Sequence, residues 1–224
     1  APPRVGEDGW ELSIKALIDN ADCSHKARFT LIDADGNEKA STIADLRPII
    51  SAKLPVEDPV LWNGRKNPYL YTVRCEIFDS TTQEVTDNID IRTGLREYHI
   101  DSHKGFFLNG EHIKLQGVSR HQDRENMGNA ITEKQHAEDV KIILDVGANS
   151  VRLAHYQQNS YFYDLCDESG LLVWAEVPVI SRFSPKRNEN AEQQLVELIK
   201  QNYNHPSIFC WGIENEITIA GSES

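Results

Sequence analysis

The chain has 224 residues, 39% of them hydrophobic and 26% charged, a balance that fits a soluble globular protein and excludes disordered or fibrous classes. With 23 basic against 35 acidic residues the formal net charge is −12, and no cluster of Lys and Arg is present to track a phosphate backbone or an anionic bilayer. No apolar run approaches the roughly 20 residues of a membrane span, so nucleic-acid and membrane partners are both set aside.

The opening APPRVGEDGW lacks a charged segment followed by an apolar stretch, so no signal peptide is expected in the chain itself. The compartment stays open: cytoplasmic, or periplasmic or secreted if a leader has been removed. From Trp10 to about Ile100 short alternating segments such as WELSIKALIDN, ARFTLIDADGNEKA and LYTVRCEIFD are separated by turn signals. Alternation with a period of two reads as an antiparallel β-sandwich. Asp35 and Gly36 mark one hairpin turn, because Gly accepts the positive φ that such turns impose. A polar loop between Trp62 and Tyr69 connects two strands.

The pattern changes after about Asp101. A hairpin around Asn109 and Gly110 comes first, and strand-like and helix-like segments alternate from there on. The predicted strands are His112 to Val118, Ser150 to Ala154, Leu171 to Val177 and Ile208 to Ile213. The first predicted helix starts at a capping box formed by Thr132 and Gln135, turns Ala137, Val140, Ile143 and Leu144 to one face, and stops at Gly147. A second runs from Tyr161 to Glu168 before Gly170. The third spans Glu189 to Tyr203, with Leu195, Leu198 and Ile199 inward.

Strand and helix at this rhythm imply βαβ units on a parallel sheet. No phosphate-binding glycine loop follows any strand, which argues against a dinucleotide fold. Polar residues crowd the C-terminal strand ends instead: Arg120 and His121, Arg152 and His155, Glu176, Asn215 and Glu216. In a (β/α)₈ barrel those ends share one face, where side chains from several strands converge on a substrate. The expected fold is therefore multi-domain β plus α/β, with a β-sandwich over residues 1–101 and a partial TIM barrel of about four strands over 102–224. Cys23, Cys75, Cys166 and Cys210 are spaced too widely for a CxxC pair or a Cys/His metal cluster, and all four read as buried thiols.

Two long segments carry a resemblance. NSVRLAHYQQNSYFYDLCDESGLLVW and NYNHPSIFCWGIENE resemble the two signatures of glycoside hydrolase family 2, in the family's order. LWNGRKNPYLYTV is similar to the end of that family's immunoglobulin-like domain, and FFLNGEHIKLQGVSRHQD to the start of its barrel. The resemblance implies a retaining β-galactosidase-like enzyme of carbohydrate catabolism, the RHQD sequence being nearer that group than the β-glucuronidases. β-Glucuronidase and β-mannosidase are the alternatives within the family. A non-catalytic carbohydrate-binding or interaction module is the alternative outside it.

The second signature implies Glu216 as general acid/base, a carboxyl group protonated when it meets the leaving oxygen and ionised when it activates water. Trp211 could help keep that site dry, or could be a core indole. The resemblance makes Asn215 the partner of the sugar 2-hydroxyl, His121 and His155 sugar-contacting residues, and Arg152 the residue that orients the nucleophilic carboxylate. Glu176 is a possible subsite or supporting carboxylate, with a structural ion pair as its alternative. Where magnesium-dependent relatives present Glu and His, VPVISRFS places Ile180 and Arg182, so neither a metal site nor any other cofactor is expected. HYQQN also lacks the proline that usually follows the family's histidine. The resemblance puts the nucleophile on a seventh barrel strand, so the chain is expected to carry the acid/base alone and to be inactive by itself. A homo-oligomeric parent is left open.

Overall fold

The computed structural model describes residues 4–6, 9–181 and 188–217. They form two compact units, one gathering the described residues of Ala1–Asn63 and Tyr69–His112, the other Gly64–Pro68 and Ile113–Ser224.

In the first unit, β1 (Arg4–Gly6), β2 (Gly9–Leu17) and β5 (Ile49–Val56) make a three-stranded antiparallel sheet in the order β1-β2-β5. A four-stranded antiparallel sheet runs β4 (Glu38–Asp45), β3 (His25–Ile32), β6 (Tyr71–Asp79), β7 (Val85–Thr93). Period-two alternation builds their shared core: Ala27, Phe29 and Leu31 of β3 and Ile50, Leu54 and Val56 of β5 are buried and cluster together with Leu12, Tyr71 and Leu95. Edge strand β7 is almost wholly exposed and carries Asp87, Asp90 and Arg92, charges that discourage edge-to-edge pairing.

A separate three-stranded sheet follows, with β8 (Tyr98–Asp101), β9 (Gly105–Leu108) and β10 (Glu111–Ile113) in the order β10-β9-β8. Asn109 and Gly110 join β9 to β10 with φ of 49° and 79°, the left-handed pair of a tight hairpin. The single strand predicted over His112 to Val118 is thus two. Asn149 interrupts it: its Oδ1 accepts from the Gln116 N–H at 2.7 Å and its Nδ2 donates to the Lys114 carbonyl at 2.8 Å. A side chain takes the place of a ladder partner, and β11 (Gly117–Arg120) starts afresh beyond it.

The second unit has β12 (Ser150–Leu153), β13 (Leu172–Glu176) and β14 (Ile208–Gly212) parallel to β11, in the order β11-β12-β13-β14. Helices α1 (Glu133–Asp145), α2 (Ser160–Ser169) and α3 (Asn188–Asn202) alternate with these strands along the chain. Their core gathers Val140, Ile143, Val151, Leu153, Phe162, Val173, Ala175 and Leu198. The capping box is present, with the Thr132 N–H and hydroxyl both donating to Gln135 Oε1, at 3.0 and 2.5 Å. The inner face of α1 is rotated from the predicted one: Ala137 is exposed and His136 is buried with Val140 and Ile143. Asn159 caps α2 by accepting from the Tyr161 N–H at 2.9 Å, and Gly170 ends it at φ 71°.

Among the described residues the four cysteines are free thiols, but only Cys166 is fully buried. Cys23 is exposed and Cys75 and Cys210 are half-buried, which corrects the expectation that all four would be core residues. Cys23 lies in the turn between β2 and β3, where no layer covers it. No described helix is long and apolar enough to cross a membrane.

Candidate active site

Parallel strands deliver their C-terminal residues to one face, and here each strand contributes. His121 follows β11, Ala154 and His155 follow β12 through a cis peptide, Glu176 ends β13, and Asn215 and Glu216 lie just past β14. Asn215 is held by the neighbouring connection. The Asn215 N–H donates to the Val179 carbonyl at 2.8 Å, and the Ser181 N–H donates to the Asn215 carbonyl at 2.9 Å.

The centre of the cluster is Glu176, which is fully buried. Arg152 Nε donates to its Oε1, and its Oε2 lies 2.8 Å from His155 Nδ1. Arg152 Nη2 donates to Asn215 Oδ1 at 2.7 Å. One guanidinium therefore links the ends of β12, β13 and β14, a use to which its rigid fork of donors is suited. Gly212 faces Glu176 in the β13–β14 register, and a Cβ there would stand 2.4 Å from Trp174 Nε1 and 2.6 Å from Glu176 Cγ. The strand has glycine where the Trp174 and Glu176 side chains both need room.

The rings of His121 and His155 are 5.4 Å apart and nearly perpendicular. Tyr156 braces this pair, its hydroxyl accepting from the Gln122 N–H at 2.9 Å. Glu216 is exposed, with φ of 54°. That left-handed conformation is uncommon for a residue with a side chain and recurs at functional sites. Trp211 packs against the core cluster of the second unit.

Arg120 goes elsewhere. Adjacent residues of a strand point to opposite faces, so His121 follows Arg120 in sequence but not in direction. Arg120 is buried, with its guanidinium over the Phe162 ring, donating to Asp139 Oδ2 at 2.7 and 3.0 Å and to Gln158 Oε1. Its Nη2 is also 3.0 Å from His136 Nδ1. His136, Asp139 and Gln158 went unnoticed in the sequence; the available signal is that Arg120 and His121, adjacent at the end of β11, cannot both face the site, so that Arg120 needs acceptors elsewhere.

Of the two positions where magnesium ligands would stand, Ile180 is exposed and Arg182 lies outside the described residues. One group with ligand-like spacing is present among the described residues: Asp164, Asp167 and His205, with donor atoms within 4.8 Å of one another. It sits before β14, at the strand end opposite the cluster. There His205 Nδ1 is 2.6 Å from Asp167 Oδ2 and the Ser207 N–H donates to Asp167 Oδ1 at 3.0 Å, so the buried aspartate already has protein partners.

Comparison with known proteins gives this geometry a family. Residues 3–96 match the description "Glycosyl hydrolases family 2" and residues 100–223 match "Glycosyl hydrolases family 2, TIM barrel domain". A β-glucuronidase of Bacteroides fragilis is 45% identical over 75% of this chain and 25% of its own length. A β-galactosidase of Thermoanaerobacter pseudethanolicus is 32% identical over 91% of this chain and 28% of its own. The crystal structure of a Bacteroides uniformis β-glucuronidase superposes with a TM-score of 0.90 at 33% identity, covering 98% of this chain and 28% of that one. The chain thus spans about a quarter of the length of the relatives it matches. A β-sandwich followed by a four-stranded portion of a TIM barrel, with both family descriptions matched in order, places this chain in glycosyl hydrolases family 2.

Proposed function

We propose that the chain supplies the acid/base half of a retaining β-glycosidase, with Glu216 as the proton donor and acceptor and with His121, His155 and Asn215 facing the sugar. What supports this is the meeting of His155, Arg152, Glu176 and Asn215 at the C-terminal ends of the parallel strands, with the His121 ring against that of His155 and Glu216 the next residue after Asn215. Retention needs a second carboxylate about 5 to 5.5 Å from the first, acting as nucleophile. We place that group on a seventh strand, as the resemblance implies, and hold that these 224 residues alone turn nothing over. Hydrolysis of an activated aryl glycoside by this chain alone would overturn that part.

For the glycone, the relatives' names weigh toward a β-glucuronide, since the B. fragilis relative bears that name at 45% identity. The RHQD segment ending in Asp123 favours a β-galactoside, and the T. pseudethanolicus relative is so named. Aryl β-glucuronides, β-galactosides and β-mannosides offered to an enzyme containing this chain together with the rest of the barrel decide between them. Glu216→Gln in that enzyme tests the mechanism. Turnover of glycosides with poor leaving groups should fall by about 10²- to 10⁴-fold, while a dinitrophenyl glycoside, which departs without a proton, should be cleaved far less slowly. Equal loss with both leaving groups would remove Glu216 from proton transfer.

A further inference from the structure

We propose that Glu176 is a positioning residue that sets the hydrogen-bonding polarity of two sugar-facing groups, making His155 Nε2 an acceptor and Asn215 Nδ2 a donor. This rests on the reading of the cluster as the sugar site. A carboxylate paired with a guanidinium has only lone pairs to offer. With Oε1 of the buried Glu176 accepting from Arg152 and Oε2 at 2.8 Å from His155 Nδ1, the proton of that contact must sit on Nδ1. The neutral imidazole then has its lone pair on Nε2.

Asn215 is oriented by the same guanidinium. Arginine nitrogens only donate, so the atom 2.7 Å from Arg152 Nη2 is the amide oxygen, and the Asn215 NH₂ is left to donate. Glu176 holds Arg152 in the orientation that makes this so. A sugar bound here would present a hydroxyl that gives its hydrogen to His155 and another whose oxygen receives one from Asn215. A saccharide can meet both demands, whereas a ligand lacking a donor beside His155 leaves a desolvated acceptor unpaired.

The test is the tautomer of His155, read by long-range ¹H–¹⁵N correlation of the imidazole at a pH where the ¹⁵N shifts themselves show a neutral ring. The protein should show Nδ1–H. In Glu176→Gln the amide oxygen stays with Arg152 and its NH₂ turns to His155 Nδ1, so the ring should switch to Nε2–H while the backbone amide spectrum remains that of the folded protein. Nε2–H in the unsubstituted protein would overturn the proposal even if the variant fails to fold, and so would an unchanged tautomer in a folded variant. In an active barrel the same substitution should lower kcat/KM by about ten- to a hundredfold, mainly through KM. Absence of glycosidase activity in the parent would count against the proposed function and leave the tautomer result intact.

Discussion

The guanidinium carbon of Arg120 lies 3.9 Å from the centroid of the Phe162 ring, which ties the first parallel strand to the second helix of the barrel portion. The same side chain meets Asp139, Gln158 and His136, so it organises a buried polar layer beneath the site. Arg120→Ala strips Gln158 and His136 of their donor and leaves Asp139 with Arg124 alone among these cations. The expected cost is about 3–5 kcal/mol, the usual consequence of breaking a buried pair from one side. Urea unfolding of the variant measures it, and a loss below about 1 kcal/mol would show that the layer contributes little.

His136 gives that layer a pH dependence. Arg120 can only donate, so His136 Nδ1 accepts and the neutral ring carries its proton on Nε2. Burial, and then the neighbouring Arg120 charge, push its pKa below the ordinary 6.5. A folded-state pKa below the unfolded one means that the unfolded chain takes up the proton first. The contribution is therefore intact above the ordinary histidine range and lost as pH falls below it. Unfolding free energies at pH 7.5 and 5.5 should differ more in the wild-type protein than in His136→Asn, whose side-chain oxygen can accept from Arg120 without titrating.

Two glycines separate backbone conformation from contact. Gly147 and Gly170 both have left-handed φ, 81° and 71°. A Cβ on Gly147 meets nothing within 4 Å, whereas one on Gly170 would stand 2.3 Å from the backbone carbonyl of Gly64. Gly147→Ala should cost about 1 kcal/mol, the conformational penalty alone. Gly170→Ala should cost clearly more, because backbone rather than a flexible side chain must move. Equal melting temperatures for the two variants would refute this.

Thiol accessibility should follow the layers. Cys23 is exposed and should react with a bulky disulfide reagent on mixing, whereas Cys166 is fully buried, with a pKa raised well above the ordinary thiol value chiefly by that burial. Cys23→Ser should remove the fast phase of labelling, and the Cys166 signal should appear only in denaturant. Fast labelling of any thiol in the native Cys23→Ser variant would contradict this order.

Much of the architecture is legible in the sequence because its signals are local. Thr132 and Gln135 announce the start of α1, Gly170 the end of α2, and the alternation of Ala27, Phe29 and Leu31 a sandwich strand. The break between β10 and β11 is not legible, since it depends on Asn149, more than thirty residues away along the chain. The site divides in the same manner. Motif order brings Arg152, His155, Asn215 and Glu216 to notice, but the partner of Arg152 is a different matter. The resemblance implies there a nucleophilic carboxylate from a strand beyond these four, and among the described residues Arg152 also meets Glu176 and Asn215, partners that the motifs do not name. Which acceptors a guanidinium chooses is settled by packing across three strands, and short-range pattern carries no trace of that.

The paired backbone bonds between Asn215 and residues 179 and 181 mean that the carboxyl group at 216 is steered from the connection leaving β13 as much as from β14. On the proposed function, lengthening or stiffening residues 177–181 would swing that group relative to the sugar without altering any side chain proposed to touch it. Divergence in leaving-group tolerance, and attempts to retune it in the laboratory, therefore have a natural handle in a stretch of chain that performs no chemistry.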